Sequence, residues 1–239
     1  MNLSRTFIGP AVLAASTLLA CAACAACRST AAPAGGGGEP GPVSSAATVT
    51  GETEFVARTN VGTDPGHVGS GTPLAAAPGH ALAAFAEGCF WGSENTFRHV
   101  EGVVATAVGF SGGHTKGPSY EDVCTHTTGH AETVLVEYDP ARVTYGKLLQ
   151  AFWDTHDPTT LNRQGPDEGD QYRSEIFTFS PDQDREARAS MAAEQKKYDR
   201  PITTRIDPIG PFYKAEGYHQ QYDEKTGRES CPLPRRHSI

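Results

Sequence analysis

The sequence has no long run of Lys and Arg interleaved with aromatic residues. Its formal net charge is -8, from 28 acidic against 20 basic side chains. Because proteins bind a phosphate backbone through clustered cations, this composition removes nucleic acid from the expected partners.

The usual signatures of a metal centre are missing as well. The helical zinc motif HExxH does not occur in the sequence. Cys24 and Cys27 follow Cys21 at three-residue spacing, but they lie among alanines with no fourth ligand or histidine nearby. We therefore expect no metal cofactor.

A long apolar run does occur near the start of the chain. It reads PAVLAASTLLA, follows a single early cation, Arg5, and stops at Cys21. The run is too short to span a membrane stably and is typical of an export signal. Its end, Leu18 to Cys21, resembles a bacterial lipobox, in which the cysteine is acylated. We predict an export signal over residues 1–21, lipidation at Cys21, and a membrane-anchored envelope lipoprotein facing the periplasm or the exterior.

The remaining chain divides into two parts of different composition. Residues 22–78 are rich in Ala, Gly, Pro, Ser and Thr and have no apolar periodicity, which predicts a disordered tether. In residues 79–239, short apolar runs alternate with amphipathic stretches, as expected of one medium-sized α/β domain.

The element order within this domain predicts its fold class. Apolar and β-branched runs indicate strands at Leu82 to Ala86, Val103 to Phe110, Ala131 to Tyr138, Ser174 to Phe179 and Ile202 to Ile206. Amphipathic stretches indicate helices over Trp91 to His99, after Thr144, and after Ser180, where a capping box begins. This order matches an α+β fold, a two-layer plait of the split βαβ, ferredoxin-like type. Long loops at 111–130 and 155–173 and a coil C-terminal tail complete it, and loops of that length are usually functional.

The sharpest local signal is GCFWG, which places Cys89 where a strand turns into a helix. Amides and the dipole at a helix N-terminus stabilise a thiolate, whereas an ordinary cysteine, with a pKa of about 8.5, is mostly protonated at neutral pH. The adjacent Phe90 and Trp91 can form an apolar wall for a small thioether-like group. The alternative is a buried structural cysteine in an aromatic core.

A second signal is TGHAE, which places Glu132 at the start of a strand. A carboxyl that is partly desolvated there favours its protonated form and becomes a proton donor. Two alternatives are an edge carboxylate in a salt bridge and a zinc site with His126 and His130.

Several motifs together carry a family resemblance: GCFWG, GFSGGHTKGPSYEDVC, TGHAE, HDPTTLNRQGPDEGDQYRS and PFYKAEGYHQQY. In this order they resemble the A-type peptide methionine sulfoxide reductases over roughly residues 81 to 231. The resemblance implies an enzyme specific for the S epimer of methionine sulfoxide, free and in proteins. It also implies roles for matched positions: attack by Cys89, protonation by Glu132, and substrate binding by Phe90, Trp91, Tyr120, Asp167 and Tyr172.

The same resemblance implies how the enzyme is recycled. Attack leaves Cys89 as a sulfenic acid, which a second thiol condenses with to form a disulfide. Cys231, in the tail, is the candidate resolving thiol, and a thioredoxin-like protein supplies the reducing equivalents without a cofactor. A second tail cysteine found in many relatives is missing, and Cys124 is expected to be structural. We expect a monomer.

Two rival functions make different demands on these residues. A thiol peroxidase also depends on a reactive cysteine and a sulfenic acid but needs no aromatic pocket for a methyl group. A non-catalytic surface lipoprotein that binds oxidised proteins would need neither Cys89 nor Glu132.

Overall fold

The computed structural model describes residues 76–228. Its strands are β1 (Ala81–Glu87), β2 (Val103–Ser111), β3 (Ala131–Tyr138), β4 (Arg163–Gln164), β5 (Asp167–Glu168), β6 (Ser174–Thr178), β7 (Arg205–Pro208) and β8 (Tyr213–Lys214). Its helices are α1 (Phe90–Arg98), α2 (Tyr120–Cys124), α3 (Tyr145–Thr155), α4 (Pro181–Glu194) and α5 (Tyr222–Thr226). The predicted export signal, most of the tether, and the tail with Cys231 lie outside the described residues.

A central sheet of six strands organises the described domain. Its order is β7-β6-β1-β3-β2-β8, and β4 and β5 form a separate hairpin. The neighbours of β1, β2 and β3 are antiparallel, whereas β6 and β7 run parallel. The predicted α+β fold class, with a central sheet and helices, is confirmed. No helix in the described range is long and apolar enough to cross a membrane.

Alternation along β1 divides the core between the two faces of the sheet. Ala83 and Phe85 join the larger cluster, which the helices cover, and Leu82, Ala84 and Ala86 join a smaller cluster on the other face. Phe85 stacks on Phe97 of α1, with ring centroids 4.7 Å apart. This packing fixes α1 against the sheet, and α1 begins directly after the candidate nucleophile.

The start of α4 follows the sequence prediction only in part. Ser180 accepts a hydrogen bond from the amide of Gln183, and Pro181 occupies the first helical position. The side chain of Gln183 does not complete the capping box but bonds to the amide of Phe179 and the carbonyl of Leu82. Gln183 therefore ties α4 to β1.

The last predicted strand is displaced along the chain. A strand was expected over Ile202 to Ile206, but β7 pairs with β6 only from Arg205 to Pro208. The amide of Ile202 bonds to the side chain of Gln195, and the amide of Thr203 bonds to the carbonyl of Pro158. Because those groups are already used, pairing begins later.

Candidate active site

Cys89 lies at the junction of β1 and α1, as the sequence predicts. The preceding Gly88 has φ +103, and a Cβ there would come within 2.7 Å of the Gln164 side chain. A glycine is therefore required where the chain leaves the strand. Cys89 is the N-cap of α1, and the first turn of the helix carries no acidic residue. The exposed amides and the dipole at this end favour a thiolate.

The two described cysteines are in different chemical states. Cys89 is not in a disulfide bond and is partly exposed, which leaves its thiol available for chemistry. Cys124, at the end of α2, is disulfide-bonded.

Glu132 lies directly beside the candidate nucleophile. Its Oε2 accepts a hydrogen bond of 3.1 Å from the amide of Phe90, the residue after Cys89. The side chain is 2% exposed. Burial raises the pKa of Glu132 to about 8, although the Phe90 amide lowers it and the charge of Asp167 raises it further. At neutral pH the carboxyl is therefore mostly protonated.

The second oxygen of Glu132, like Nε2 of His219 and Oε2 of Glu216, is a buried polar atom without a hydrogen-bond partner among the described residues. Oε1 is buried and has no hydrogen-bond partner among residues 76–228. Buried polar atoms are nearly always paired in folded proteins, so an orphaned one calls for an explanation. A protonated carboxyl with one oxygen unengaged is suited to donate to a bound oxygen atom.

Aromatic rings cluster at the start of α1, directly after Cys89. The ring of Phe90 is 1% exposed, and its centroid lies 5.1 Å from His219 and 6.3 Å from Tyr120. Trp91 is half-buried; its indole N–H donates to Nδ1 of His219 at 3.0 Å, and its ring stacks on Tyr222 at 3.9 Å. Phe90 and Trp91 thus lie side by side, with ring centroids 6.5 Å apart, and Trp91 is the more accessible of the two rings.

The long loops bring the other predicted residues to the same end of the sheet. Tyr120 is the first residue of α2, and its amide donates to Oε1 of Glu216 at 3.0 Å. Asp167 lies in β5, close enough to Glu132 for its charge to act on that carboxyl. Tyr172 is 2% exposed and ends a 3-10 turn just before β6.

Sequence reasoning gave no role to the segment that carries His219 and Tyr222. His219 is 0% exposed, and burial lowers its pKa to about 4, so its ring is neutral at physiological pH. A neutral ring with Nδ1 unprotonated is what the indole N–H of Trp91 requires. The segment was part of a matched motif, and this match was its only signal.

The histidines of the zinc alternative are engaged elsewhere. Nδ1 of His130 accepts from the amide of Gly113, and its Nε2 bonds to the carbonyl of Thr115. Nδ1 of His126 bonds to the side chain of Gln171 at 2.7 Å. Within the described range no group of three or more His, Cys, Asp or Glu side chains is placed to hold a metal ion.

Comparisons with known proteins agree on one family. Residues 81–238 match the family model described as peptide methionine sulfoxide reductase. Peptide methionine sulfoxide reductase MsrA of Methanoculleus marisnigri is 58% identical over 151 residues, 62% of this chain and 92% of that protein. Peptide methionine sulfoxide reductase A2 of Arabidopsis thaliana is 55% identical over 151 residues, 63% of this chain and 69% of that protein.

Solved structures give the same answer for the fold. Methionine sulfoxide reductase A of Corynebacterium diphtheriae superposes with a TM-score of 0.63 at 37% sequence identity. The match covers 76% of this chain and 89% of that one.

Proposed function

The chain belongs to the peptide methionine sulfoxide reductase family, and we propose that it reduces methionine sulfoxide with the thiol of Cys89 as nucleophile. One observation carries the mechanism. The buried carboxyl of Glu132 bonds to the amide next to Cys89 and keeps Oε1 without a partner among the described residues. A sulfoxide oxygen bound there receives a proton while the sulfur is attacked.

The chemical step is an oxygen transfer between two sulfur atoms. The thiolate of Cys89 attacks the sulfoxide sulfur, and the proton of Glu132 passes to the oxygen, which is a poor leaving group until protonated. Methionine departs with two more electrons on its sulfur, and Cys89 becomes a sulfenic acid. The family resemblance supports the S epimer as the substrate, both free and in proteins.

The surrounding residues fit a pocket for this substrate. The rings of Phe90 and Trp91 receive the S-methyl group, because aromatic faces make favourable contacts with sulfur and methyl groups. Tyr120 and Tyr172 provide hydroxyl donors for the oxygen, and Asp167 completes the pocket wall. Proximity supports two of these roles, since the ring of Tyr120 lies 6.3 Å from that of Phe90 and the charge of Asp167 acts on Glu132.

An epimer-resolved assay tests the function. With dithiothreitol as reductant, the protein should convert the S epimer of a blocked methionine sulfoxide to methionine and leave the R epimer unchanged. Cys89→Ser should abolish turnover. Reduction of hydrogen peroxide without sulfoxide reduction would instead establish a thiol peroxidase, and inertness toward both would leave a binding protein.

For recycling we propose that Cys231 resolves the sulfenic acid and that a thioredoxin-like protein reduces the resulting disulfide. Cys231→Ser should form one equivalent of methionine per enzyme and then stall with thioredoxin. Cys124→Ser is the matched control: Cys124 is disulfide-bonded and is expected to be structural, so this variant should keep turning over with thioredoxin. Sustained thioredoxin-driven turnover of Cys231→Ser would remove Cys231 from the cycle.

The location of the enzyme is proposed from its first residues. The run ending at Leu18 to Cys21 supports export and acylation of Cys21, with the catalytic domain carried on a tether outside the cytoplasm. Mass spectrometry of the mature protein should find a diacylglyceryl group on Cys21. A mature N-terminus without lipid would refute the anchor.

A further inference from the structure

A second buried carboxyl on α1, that of Glu94, lies outside the chemistry described so far. It is 1% exposed, and its two oxygens bond to Thr106 and Gln221. Its Oε2 accepts the backbone amide of Gln221 at 2.6 Å, and its Oε1 accepts the side-chain amide of the same residue at 2.8 Å. The hydroxyl of Thr106 adds a third bond, at 2.8 Å, to Oε1.

Gln221 is held in an unfavourable backbone conformation. Its φ is 50 and its ψ is 41, the left-handed region, where a residue with a Cβ is disfavoured. Such a conformation persists when surrounding contacts over-determine it. The contacts here are the two bonds to Glu94, because they fix both the main chain and the side chain of Gln221.

The left-handed conformation of Gln221 places His219 and Tyr222 against the same ring, that of Trp91. His219, two residues earlier, accepts from the indole N–H of Trp91, and Tyr222, the next residue, stacks on the same ring with planes 11° apart. Trp91 precedes Glu94 by three positions, so the ring and the carboxyl share one face of α1. One face of α1 therefore contacts the segment 219–222 at two places, through the ring of Trp91 and through the carboxyl of Glu94.

We propose that Glu94 is a positioning residue for substrate specificity: by clamping Gln221 it fixes the ring of Trp91 and hence the width of the methyl pocket. The inference rests on the proposed function of that pocket. Without the clamp, Gln221 relaxes toward ordinary backbone angles and His219 and Tyr222 leave the Trp91 ring. The pocket then widens, holds the methyl group poorly, and admits a larger alkyl group.

Glu94→Gln tests this inference because both oxygens of Glu94 accept from Gln221, whereas the amide of glutamine has one accepting oxygen and an NH2 group that only donates. In that variant KM for the blocked methionine sulfoxide should rise about tenfold with kcat changed less than about threefold. The preference for methyl over ethyl sulfoxide, measured as the ratio of kcat/KM values, should fall by a similar factor. Glu224→Gln is the matched control, since Glu224 joins α5 to Arg98 of α1 without touching Gln221.

Fluorescence supplies a readout that needs no substrate. The chain has two tryptophans, so Trp153→Phe leaves Trp91 as the sole emitter. Adding Glu94→Gln to that background should shift Trp91 emission toward longer wavelengths, while Glu224→Gln should not. This measurement stands even if the protein fails to reduce methionine sulfoxide, so failure of the clamp and failure of the function are distinguishable.

A rescue variant distinguishes loss of the two bonds between Glu94 and Gln221 from a general destabilisation of α1. Glycine adopts left-handed angles readily, so Gln221→Gly in the Glu94→Gln protein should recover at least half of the lost affinity. Unchanged emission and KM in Glu94→Gln, equal effects of Glu224→Gln, or no recovery with glycine would each overturn the proposal. If Glu94→Gln does not fold, Thr106→Val, which removes one bond to the carboxyl, should give a smaller shift of the same sign.

Discussion

Two buried carboxyl groups lie close to Cys89 on neighbouring strands, and they differ in what surrounds their oxygens. Glu87 ends β1, and Glu132 lies near the start of β3. Burial raises the pKa of each to about 8. Glu87 accepts from the Thr155 hydroxyl at 3.1 Å and also interacts with the hydroxyl of Ser93, whereas Oε1 of Glu132 has no partner in the described range.

The difference shows that a raised pKa marks burial and not function. Among residues 76–228 no cation balances Glu87. Nδ1 of His156, 3.8 Å away, is bonded to the carbonyl of Phe152, and burial lowers the pKa of His156 to about 4. Glu87 is thus an uncharged carboxyl that bonds to the hydroxyls of Thr155 and Ser93. Of these two carboxyls, only Glu132 has an oxygen without a partner in the described range, and this difference supports our proposal that Glu132 is the proton donor.

The largest expected effect separates the two carboxyls directly. Glu132→Gln should lower the single-turnover rate of sulfoxide reduction by about two to four orders of magnitude, the usual contribution of a general acid. Glu87→Gln should stay within about threefold, because an amide replaces a protonated carboxyl among hydroxyl groups. Rapid-quench measurement of methionine formed gives both rates. Equal losses in the two variants would erase the distinction.

The pH profile tests the same comparison without removing either side chain. Glu132 carries its proton below about pH 8, so the single-turnover rate should fall roughly tenfold per pH unit above that value. Ionisation of Cys89 acts in the opposite direction, so a fall must come from the acid. The decline should persist in Glu87→Gln and disappear in Glu132→Gln. A wild-type rate that stays flat to alkaline pH would contradict the assignment.

The two carboxyls should have similar effects on the free energy of unfolding. Burial raises the folded pKa of each to about 8 from an ordinary value of 4.5, so each ionises more readily when unfolded. The resulting penalty is absent below pH 4.5 and grows until about pH 8, at roughly 1.4 kcal/mol per pH unit. Glu87→Gln and Glu132→Gln should therefore both raise the free energy of unfolding by a few kcal/mol at pH 8 and by little at pH 4. Urea titrations at the two pH values measure this, and a gain confined to one variant would reveal a second compensating contact.

Local signals in the sequence were sufficient for much of this architecture. The bounds of β3 match the prediction, and α1 and α4 begin within one residue of it, because alternation, capping and proline placement act over a few residues. The short elements α2, α5 and the β4–β5 hairpin were not predicted. They are too short to carry a periodic pattern, and contacts far along the chain stabilise them.

In the candidate site, too, some residues could be predicted from local sequence patterns and others depend on contacts between distant parts of the chain. Cys89 and Glu132 could be selected from their motifs, since each follows or begins a recognisable strand. The partner of the Trp91 indole, His219, lies 128 residues away in sequence, and the clamp from Glu94 to Gln221 spans 127. No local pattern encodes such pairings, which arise only when α1 packs against the segment before α5.

The smallest predicted effect concerns a charge that acts on only one of the two carboxyls. The charge of Asp167 raises the pKa of Glu132, whereas the pKa of Glu87 is set by burial and by hydrogen bonds from the hydroxyls of Thr155 and Ser93. Asp167→Asn should therefore lower the pKa of Glu132 and move the alkaline fall in single-turnover rate to lower pH by less than about one unit. Glu168→Gln is the matched control, because Glu168 shares the hairpin but pairs with Arg163 at the surface. A shift toward higher pH in Asp167→Asn would mean that Asp167 stabilises the ionised form of Glu132, and the electrostatic account of its raised pKa would then be wrong.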